Sequence, residues 1–117
     1  MIKTKRVYED YDVTDSLRVL VDRLWPRGIR RASAKIDLWM RDVAPSDELR
    51  KWFAHDPAKW TKFEERYLKE LSGNDAFEKL LDLARINSML TLIYATSDEK
   101  HNNAIVLKRL LDRKLRK

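Results

Sequence analysis

The chain contains no cysteine and only two glycines, Gly28 and Gly73, among its 117 residues. Without cysteine it can form no disulfide, no thiolate nucleophile and no cysteine-ligated zinc or iron–sulfur centre. Two glycines are too few for a Walker loop or a dinucleotide-binding fingerprint, each of which needs several at fixed spacing. His55 and His101 are far apart and have no tight metal-ligand spacing. We therefore expect no metal and no cofactor.

Long apolar runs are also missing. The longest mainly apolar stretch, residues 89–95, is far shorter than the ~20 residues that span a membrane. No signal-peptide apolar region follows the first residues, Met1-Ile2-Lys3-Thr4-Lys5-Arg6. Glutamine is absent while Lys, Arg, Glu and Asp are abundant, which favours a heat-adapted source. These features predict a cytoplasmic protein that contacts no membrane. We expect a monomer or a homodimer, because a chain of this length builds a small sheet whose burial a second copy could complete.

The positive charge is concentrated in two segments. The net charge is +6, yet residues 108–117 alone hold six bases and one acid, so the rest of the chain is nearly neutral. This basic tail either contacts phosphates or complements the dipole of its own helix. A second segment, residues 23–35, holds five bases and no acid. A nucleic-acid-binding module that uses residues 27–35 and the tail therefore stays open as an alternative.

Three segments predict strands. Residues 17–24 and 90–96 are short, aliphatic and partly β-branched, which is typical of buried strands. Residues 5–9 predict a strand at the edge of a sheet. About 65 residues separate the two buried strands, which favours a parallel pair joined by a crossover connection.

Helical spacing and capping residues dominate the region between those strands. The spacing of Ile36, Trp39 and Met40 predicts a short helix ending before Pro45. Further helices are predicted after Ser46, after Asp56-Pro57 with an end near Gly73, and after a capping box. That box is formed by Asp75 and Glu78, and a last helix is predicted over residues 101–115.

The predicted fold class follows from this order of elements. It is an α/β protein with a small parallel-containing sheet of about three strands covered by several helices. With 44% apolar and 38% charged residues, the composition is that of a globular chain, and residues 1–117 form a single domain with a basic C-terminal helix end.

Two loops are the candidates for a functional site, because ligands bind outside the carboxyl ends of parallel strands. The first contains Trp25-Pro26-Arg27-Gly28, with Arg23 just before it. Arg23 and Arg27 are predicted to bind an anionic group, since guanidinium groups pair with phosphate or carboxylate. Trp25 either contacts the ligand or covers the core. The second loop, residues 97–103, precedes a helix whose N-terminus favours an anion.

The second loop supplies the candidate catalytic residues, His101 and Asp98. We expect His101 on the first helical turn, where the dipole favours a neutral, base-competent imidazole. The alternatives are a structural hydrogen bond for His101 and a capping role for Asp98. Asn102 and His55 are predicted ligand-binding residues, with His55 alternatively a simple turn residue.

Several segments carry a resemblance to a known family. They are RVLVDRLWPRG at residues 18–28, DLWMRDVAPSDELRKWFAHDPAKW at 37–60 and LTLIYATSDEKHNNAIVL at 90–107. Together they closely resemble the family known as domain of unknown function 488, in its short YeaO-like branch. The resemblance covers nearly the whole chain.

The resemblance implies a small cytoplasmic α/β protein without an established activity. Where the family usually reads His-Asn-His-Ala, this chain reads His101-Asn102-Asn103-Ala104, so a mechanism requiring two imidazoles there is weakened. A longer branch carries a Cys-His-Arg motif, and the lack of cysteine here argues against a thiol mechanism. Some relatives carry a porphyrin-methyltransferase label, which no glycine-rich cofactor loop supports in this chain.

The leading functional hypothesis is a binder of, or an enzyme acting on, a small anionic ligand that carries phosphate. The nucleic-acid module above is one alternative. A regulatory protein-interaction domain is another, in which the aromatic side chains of residues 49–67 form a surface rather than core.

Overall fold

A four-stranded parallel sheet forms the centre of the molecule, described by a computed structural model that covers residues 1–116. The strands are β1 (Ile2–Arg6), β2 (Leu17–Leu20), β3 (Leu38–Trp39) and β4 (Leu90–Tyr94). Their order is β1-β4-β2-β3, and every neighbouring pair is parallel. The α/β class is confirmed, and the sheet has one strand more than the three expected. Lys117, the last residue of the predicted basic tail, lies outside the described residues.

Within residues 1–116 five α-helices accompany the sheet, and side-chain caps mark the start of three of them. They are α1 (Arg31–Ala34), α2 (Asp47–Phe53), α3 (Trp60–Leu71), α4 (Asp75–Ile86) and α5 (Asn103–Leu115). Ser46 caps α2, as predicted, with its hydroxyl accepting a hydrogen bond from the Leu49 N–H at 3.1 Å. None of the helices within residues 1–116 combines the length with the hydropathy that a membrane span requires.

One face of the sheet, the helix-covered face, carries the main hydrophobic core. Val19, Leu90 and Leu92 point into it and are fully buried. Buried side chains of α2, α3, α4 and α5 pack against them in one continuous cluster. Because strands alternate their side chains, every second residue of β2 and β4 serves this face.

The opposite face, which we call the loop-covered face, has only a small apolar cluster at the carboxyl ends of the strands. Val7, Leu20 and Ile93 form it, and Trp25 and Trp39 from the neighbouring segments pack against it. The segment between β2 and β3 therefore covers this face in place of long helices.

An ionic network lies on the same face, near the amino end of β2. The fully buried Asp15 carboxylate contacts the amines of Lys3 at 2.7 Å and Lys5 at 3.0 Å, and the guanidinium of Arg18. Although burial opposes ionisation, hydrogen bonds from Lys3 and Lys5 lead the groups that hold the pKa of Asp15 well below its usual range. The Thr91 hydroxyl donates to the Asp15 carbonyl at 2.7 Å and ties this network to β4.

The predicted helix at Ile36, Trp39 and Met40 is wrong. Leu38–Trp39 forms strand β3 instead, in parallel register with Val19 and Leu20 of β2. The Met40 N–H donates to the Leu20 carbonyl at 2.9 Å. Tertiary pairing with β2 therefore overrides an apolar spacing that is also typical of a helix.

The boundaries of four predicted elements move. The edge strand occupies Ile2–Arg6 rather than residues 5–9, because the Glu9 carboxylate accepts from the Arg6 N–H at 2.7 Å and closes a turn. The two buried strands end at Leu20 and Tyr94, earlier than predicted. The capping box attributed to Asp75 and Glu78 is replaced by Asn74, which accepts from the Phe77 N–H at 3.0 Å.

Candidate functional site

The two predicted loops border one cleft at the carboxyl ends of β2 and β4. These strands are direct neighbours in the sheet, so the segments that follow them leave side by side. The cleft has a volume of about 490 Å³. Segments after β1 and at the ends of α2 complete its wall.

Polar and aromatic side chains share the lining of this cleft. The predicted site residues that line it are Arg23, Trp25, Arg27, His55, His101 and Asn102. Asp98 lies behind His101 rather than in the lining. The lining also includes Asp22 and Arg50, and the aromatic rings of Tyr8, Phe53 and Phe63, which the sequence analysis did not assign to a site.

Arg23 is held in place by backbone carbonyls on the far side of the cleft. Its Nε donates to the Pro45 carbonyl at 3.1 Å and its Nη2 to the Ala44 carbonyl at 3.3 Å. The side chain keeps 28% of its surface exposed. Two of its five N–H donors are thus used in positioning, and the remaining face of the guanidinium can contact a ligand.

Arg27 and Arg50 lie at the exposed rim. The Tyr8 hydroxyl donates to the Arg27 carbonyl at 2.9 Å, a contact that fixes the loop and does not involve the guanidinium. Arg50 pairs with Asp47 at 3.1 Å, and the same Asp47 oxygen lies 3.9 Å from Arg23 Nε. Arg23 and Arg50 therefore approach each other through a shared neighbour at the same side of the cleft.

Trp25 covers the core, which is one of the two roles considered for it, while its contact with a ligand stays a prediction. It packs against the small core of the loop-covered face, edge-on to Trp39 with ring centroids 5.4 Å apart. Its indole N–H donates to the Ile29 carbonyl at 2.7 Å. The half-buried ring also lines the cleft, so it provides apolar wall without a polar group left to satisfy.

His101 and Asp98 form a hydrogen-bonded pair. The His101 Nδ1 and an Asp98 oxygen are 2.9 Å apart, and the other Asp98 oxygen accepts the backbone N–H groups of Lys100 and His101. The Lys100 N–H is the main cause that lowers the pKa of Asp98, assisted by His101. A carboxylate at Nδ1 orients the ring and makes Nε2 the nitrogen available to a ligand or a proton.

The predicted placement of His101 on the first helical turn is wrong. Helix α5 begins at Asn103, and Asn102, not Asp98, is its N-cap, accepting from the Ile105 N–H at 3.0 Å. The Asp98 side chain instead closes the preceding turn. An Asx turn and a helix start look alike in sequence because both use an Asp or Asn oxygen to accept a backbone N–H.

His55 reaches the cleft through an unusual corner after α2. Ala54 and His55 both have left-handed backbone conformations, with φ of 48° and 57°. The His55 Nδ1 lies 3.5 Å from the Thr96 hydroxyl oxygen, beyond the end of β4. Because non-glycine residues enter this region reluctantly, surrounding packing must hold the corner in place.

An aromatic cluster from α2 and α3 supports both imidazoles. The His55 ring lies 6.3 Å from Phe53, and the His101 ring is edge-on to Trp60 at 5.3 Å. Phe53 stacks on Phe63 at 4.3 Å, and Trp60 stacks on Phe63 at 5.6 Å. The two histidines therefore rest on a shared apolar support on the helix side of the cleft.

The side chains of Asn102 and Asn103 form hydrogen bonds that stabilise the fold. The buried Asn102 amide donates to the Asp98 carbonyl at 2.9 Å in addition to capping α5. The Asn103 amide donates to the Val21 carbonyl at 2.8 Å and so ties α5 to the segment after β2. Ligand binding by Asn102 stays a prediction and would have to use its remaining amide hydrogen.

Asp22 is the one carboxyl group in the cleft lining within residues 1–116. One of its oxygens accepts the Ala95 N–H at 2.9 Å. Burial raises the pKa of Asp22, against the lowering influence of the Ala95 N–H, the Asn103 amide and nearby His55. The sequence alone does not single out Asp22, because an Asp beside an Arg within a strand can simply pair with its neighbours.

Comparison with known proteins decides the family. The model described as "Inactive DUF488-N3 subclade" matches residues 1–117. The chain belongs to the DUF488 family. It is 42% identical over 111 residues to an uncharacterized protein of Mycobacterium tuberculosis, covering 95% of this chain and 93% of that protein. It is 41% identical over 107 residues to the uncharacterized protein YeaO of Escherichia coli, covering 91% and 92%. No solved structure gives a significant match.

In this DUF488 protein, some of the basic residues of the two positively charged segments contact other side chains of the same chain. Lys108 pairs with Asp112 at 2.6 Å, and Arg109 with Glu64 at 3.1 Å. The guanidinium of Arg31 lies over both Trp25 and Trp39, at 4.8 and 5.1 Å from the ring centroids. The ring faces that would stack on nucleic-acid bases are thus partly occupied by the protein's own cation.

The aromatic residues of 49–67 form core in this DUF488 chain. Phe53, Phe63 and Tyr67 are buried, and the Tyr67 hydroxyl donates to the Val43 carbonyl. Trp52 and Trp60 are half-buried against the same core. An exposed aromatic surface for a protein partner therefore has little basis in this region.

Proposed function

We propose that this protein binds a small phosphate-bearing ligand in the cleft at the ends of β2 and β4. The observation that carries the proposal is the charge of the lining, where three arginines and two histidines accompany a single carboxyl group. A volume of about 490 Å³ lies within the range of roughly 300–1,000 Å³ typical of small-molecule sites.

The arrangement of the arginines supports an anion over other ligands. Arg23 is fixed through two of its donors, so little side-chain entropy remains to be lost when its other donors meet a phosphate. Arg27 and Arg50 are exposed and can close on the same group from the rim. Guanidinium–phosphate hydrogen bonds are among the strong, charge-assisted kind.

We favour binding over catalysis as the main role. The matching family model is described as inactive, and Asn103 stands where the related pattern has a second histidine. Its amide is used to hold α5 to the end of β2. The residues of the cleft nevertheless retain an oriented imidazole.

Acid–base catalysis by His101 is the second candidate, favoured by the 2.9 Å contact with Asp98. This pair resembles the base and orienting carboxylate of many hydrolases in geometry alone. Phosphorus NMR of a phosphate ester mixed with the protein tests it. Turnover by wild type and its loss in His101→Ala would establish the activity, and an unchanged spectrum would reject it.

Isothermal calorimetry tests the binding proposal. The panel is inorganic phosphate, ribose 5-phosphate and adenosine 5′-monophosphate, titrated into wild type, Arg27→Ala and the matched control Arg30→Ala. Arg30 is also exposed but does not line the cleft. We expect Arg27→Ala to weaken binding by about tenfold or more, since a hydrogen bond to a charged group contributes about 1.5–3 kcal/mol. No binding by wild type, or equal loss in both variants, contradicts the proposal.

A further inference from the structure

The side chains that line the cleft become more buried from the rim to the floor, and they change from charged to apolar in the same direction. Arg27 and Arg50 are exposed at the rim, whereas Phe53 and Phe63 are 5% and 3% exposed at the floor. Half-buried Trp25 continues the apolar wall. A phosphate dianion keeps its solvation best at the rim, and a flat apolar group gains most from the floor.

Asp22 interrupts this apolar floor with a carboxyl group. It is attached to the end of β2 and is oriented by the Ala95 N–H beyond β4. The next residue, Arg23, is oriented by Ala44 and Pro45, which belong to a different part of the cleft wall. Asp22 can accept a hydrogen bond from a donor, whereas Arg23 can bind an anion. The two adjacent residues can therefore bind separate parts of one ligand.

We infer that the cleft takes a nucleoside monophosphate whose base carries N–H groups, and that Asp22 is a specificity-determining residue that accepts a hydrogen bond from the base. This inference rests on the proposed function. The phosphate lies among Arg23, Arg27 and Arg50, while the base lies against the aromatic floor. Asp22 is half-buried and open to the cleft. A bound base would remove water from its carboxylate, and an acceptor that loses water without gaining a donor is costly, so a base lacking N–H groups is discriminated against.

Competing sites in the molecule carry less. The Asp15 carboxylate is fully buried and is satisfied by three cations. A second concavity, beside Trp39 and Asn74, has no comparable convergence of basic side chains in the described residues. The cleft alone combines an anion-binding rim, an aromatic floor and a carboxyl acceptor within residues 1–116.

The test compares nucleotides that differ only at the base edge. Guanosine and adenosine 5′-monophosphates carry amino groups, whereas purine riboside 5′-monophosphate has no N–H on its base. Calorimetry is carried out near pH 8, because a high pH favours the ionised carboxylate over the neutral acid. We expect wild type to bind at least one of the amino-bearing nucleotides about tenfold or more tightly than purine riboside 5′-monophosphate.

Asp22→Asn is the decisive variant. Its amide oxygen can still accept the Ala95 N–H, which turns the NH₂ group towards the cleft and presents a donor in place of an acceptor. We expect the preference for amino-bearing bases to fall to within about threefold or to reverse. The control Asp82→Asn changes an exposed acid on α4 and should retain the wild-type preference.

The outcomes separate this inference from the proposed function. If wild type binds ribose 5-phosphate and all three nucleotides equally, with Arg27-dependent affinity, the role of Asp22 is overturned and phosphate binding stands. Retention of the preference in a folded Asp22→Asn protein also overturns it. If no phosphate compound binds, both proposals fail. Should Asp22→Asn not fold by circular dichroism, the wild-type comparison alone decides.

Discussion

Asp15 lies two residues before β2 and Asp22 two residues after it, so one short strand has a carboxyl group near each end. At the amino end, three cations surround Asp15 and lower its pKa. At the carboxyl end, burial raises the pKa of Asp22, which faces a cleft and not a cationic cage. The same side chain stabilises the fold at one end of the strand and, we propose, serves recognition at the other.

The difference follows from what each end of a parallel strand must do. The amino end of β2 is closed by β1, β4 and the chain before it, so the buried charges of Asp15 and Arg18 have to be matched inside the protein. The carboxyl end opens into the cleft, where an incompletely matched group can be completed by a ligand. Four predictions, in order of expected size, test the contrast.

The largest expected effect is that of Asp15→Asn on stability. The substitution leaves the buried Arg18 and its two lysine neighbours without their shared carboxylate. Breaking such a buried pair costs about 3–5 kcal/mol in free energy of unfolding. Urea denaturation at neutral pH measures it, with the exposed Asp82→Asn as control. Equal midpoints for the two variants would show that the network does not stabilise the fold.

The stability contributed by Asp15 should depend on pH, which is a smaller effect whose sign follows from the pKa shift. Because the pKa of Asp15 is lowered in the folded state, its contribution is present above the unfolded value of about 4 and is lost as the pH falls below it. The free-energy difference between wild type and Asp15→Asn should therefore shrink in acid. Urea denaturation from pH 7 to pH 2.5 checks this. A constant difference would contradict the assignment.

Asp22→Asn should raise the free energy of unfolding, whereas Asp15→Asn should lower it. A raised folded-state pKa means that ionised Asp22 weakens the fold at neutral pH, a cost absent below the unfolded pKa of about 4 and incurred as the pH rises through the folded value. We expect the variant to gain roughly 1 kcal/mol at pH 7. The gain should vanish at low pH in the same denaturation series. A loss of stability at neutral pH would instead make Asp22 a second structural carboxylate.

The smallest expected effect is ligand-induced stabilisation. Adenosine 5′-monophosphate at a concentration equal to its Kd adds about 0.4 kcal/mol, or roughly 2 °C in Tm. We expect the shift in wild type and in Asp15→Asn, because the ligand binds at the other end of β2. It should disappear in Arg27→Ala when measured by differential scanning fluorimetry. A Tm shift that is lost only in Asp15→Asn would place the ligand at the amino end of β2 and contradict the proposal.

The sequence predicts much of the framework of this site from a few residues. The aliphatic runs after Leu17 and Leu90 and the capping residues Ser46 and Asp56 give buried strands and helix starts that the structure confirms. The two loops lie together because parallel neighbouring strands end at the same edge. Ligand binding by Arg23 and Arg27 stays a prediction.

What the sequence did not predict depends on contacts between distant residues. Strand β3 has two residues, which are too few to show the alternating pattern that identifies a strand in a sequence. It is defined by its pairing with Val19 and Leu20. Arg50 enters the cleft because α2 packs beside it, and nothing in its local sequence indicates this. The role proposed for Asp22 depends on its position in the cleft, which a single sequence does not reveal.

The left-handed corner at Ala54 and His55 has a consequence for how this protein can change. Each non-glycine residue in that conformation costs about 1–2 kcal/mol, so random mutagenesis selected for heat resistance should recover glycine at position 54. That gain would come with a looser backbone and a less defined direction for the imidazole. Selection for stability alone would then make the orientation of the His55 side chain less defined. A library screened both for heat resistance and for a defined His55 orientation should keep alanine at position 54.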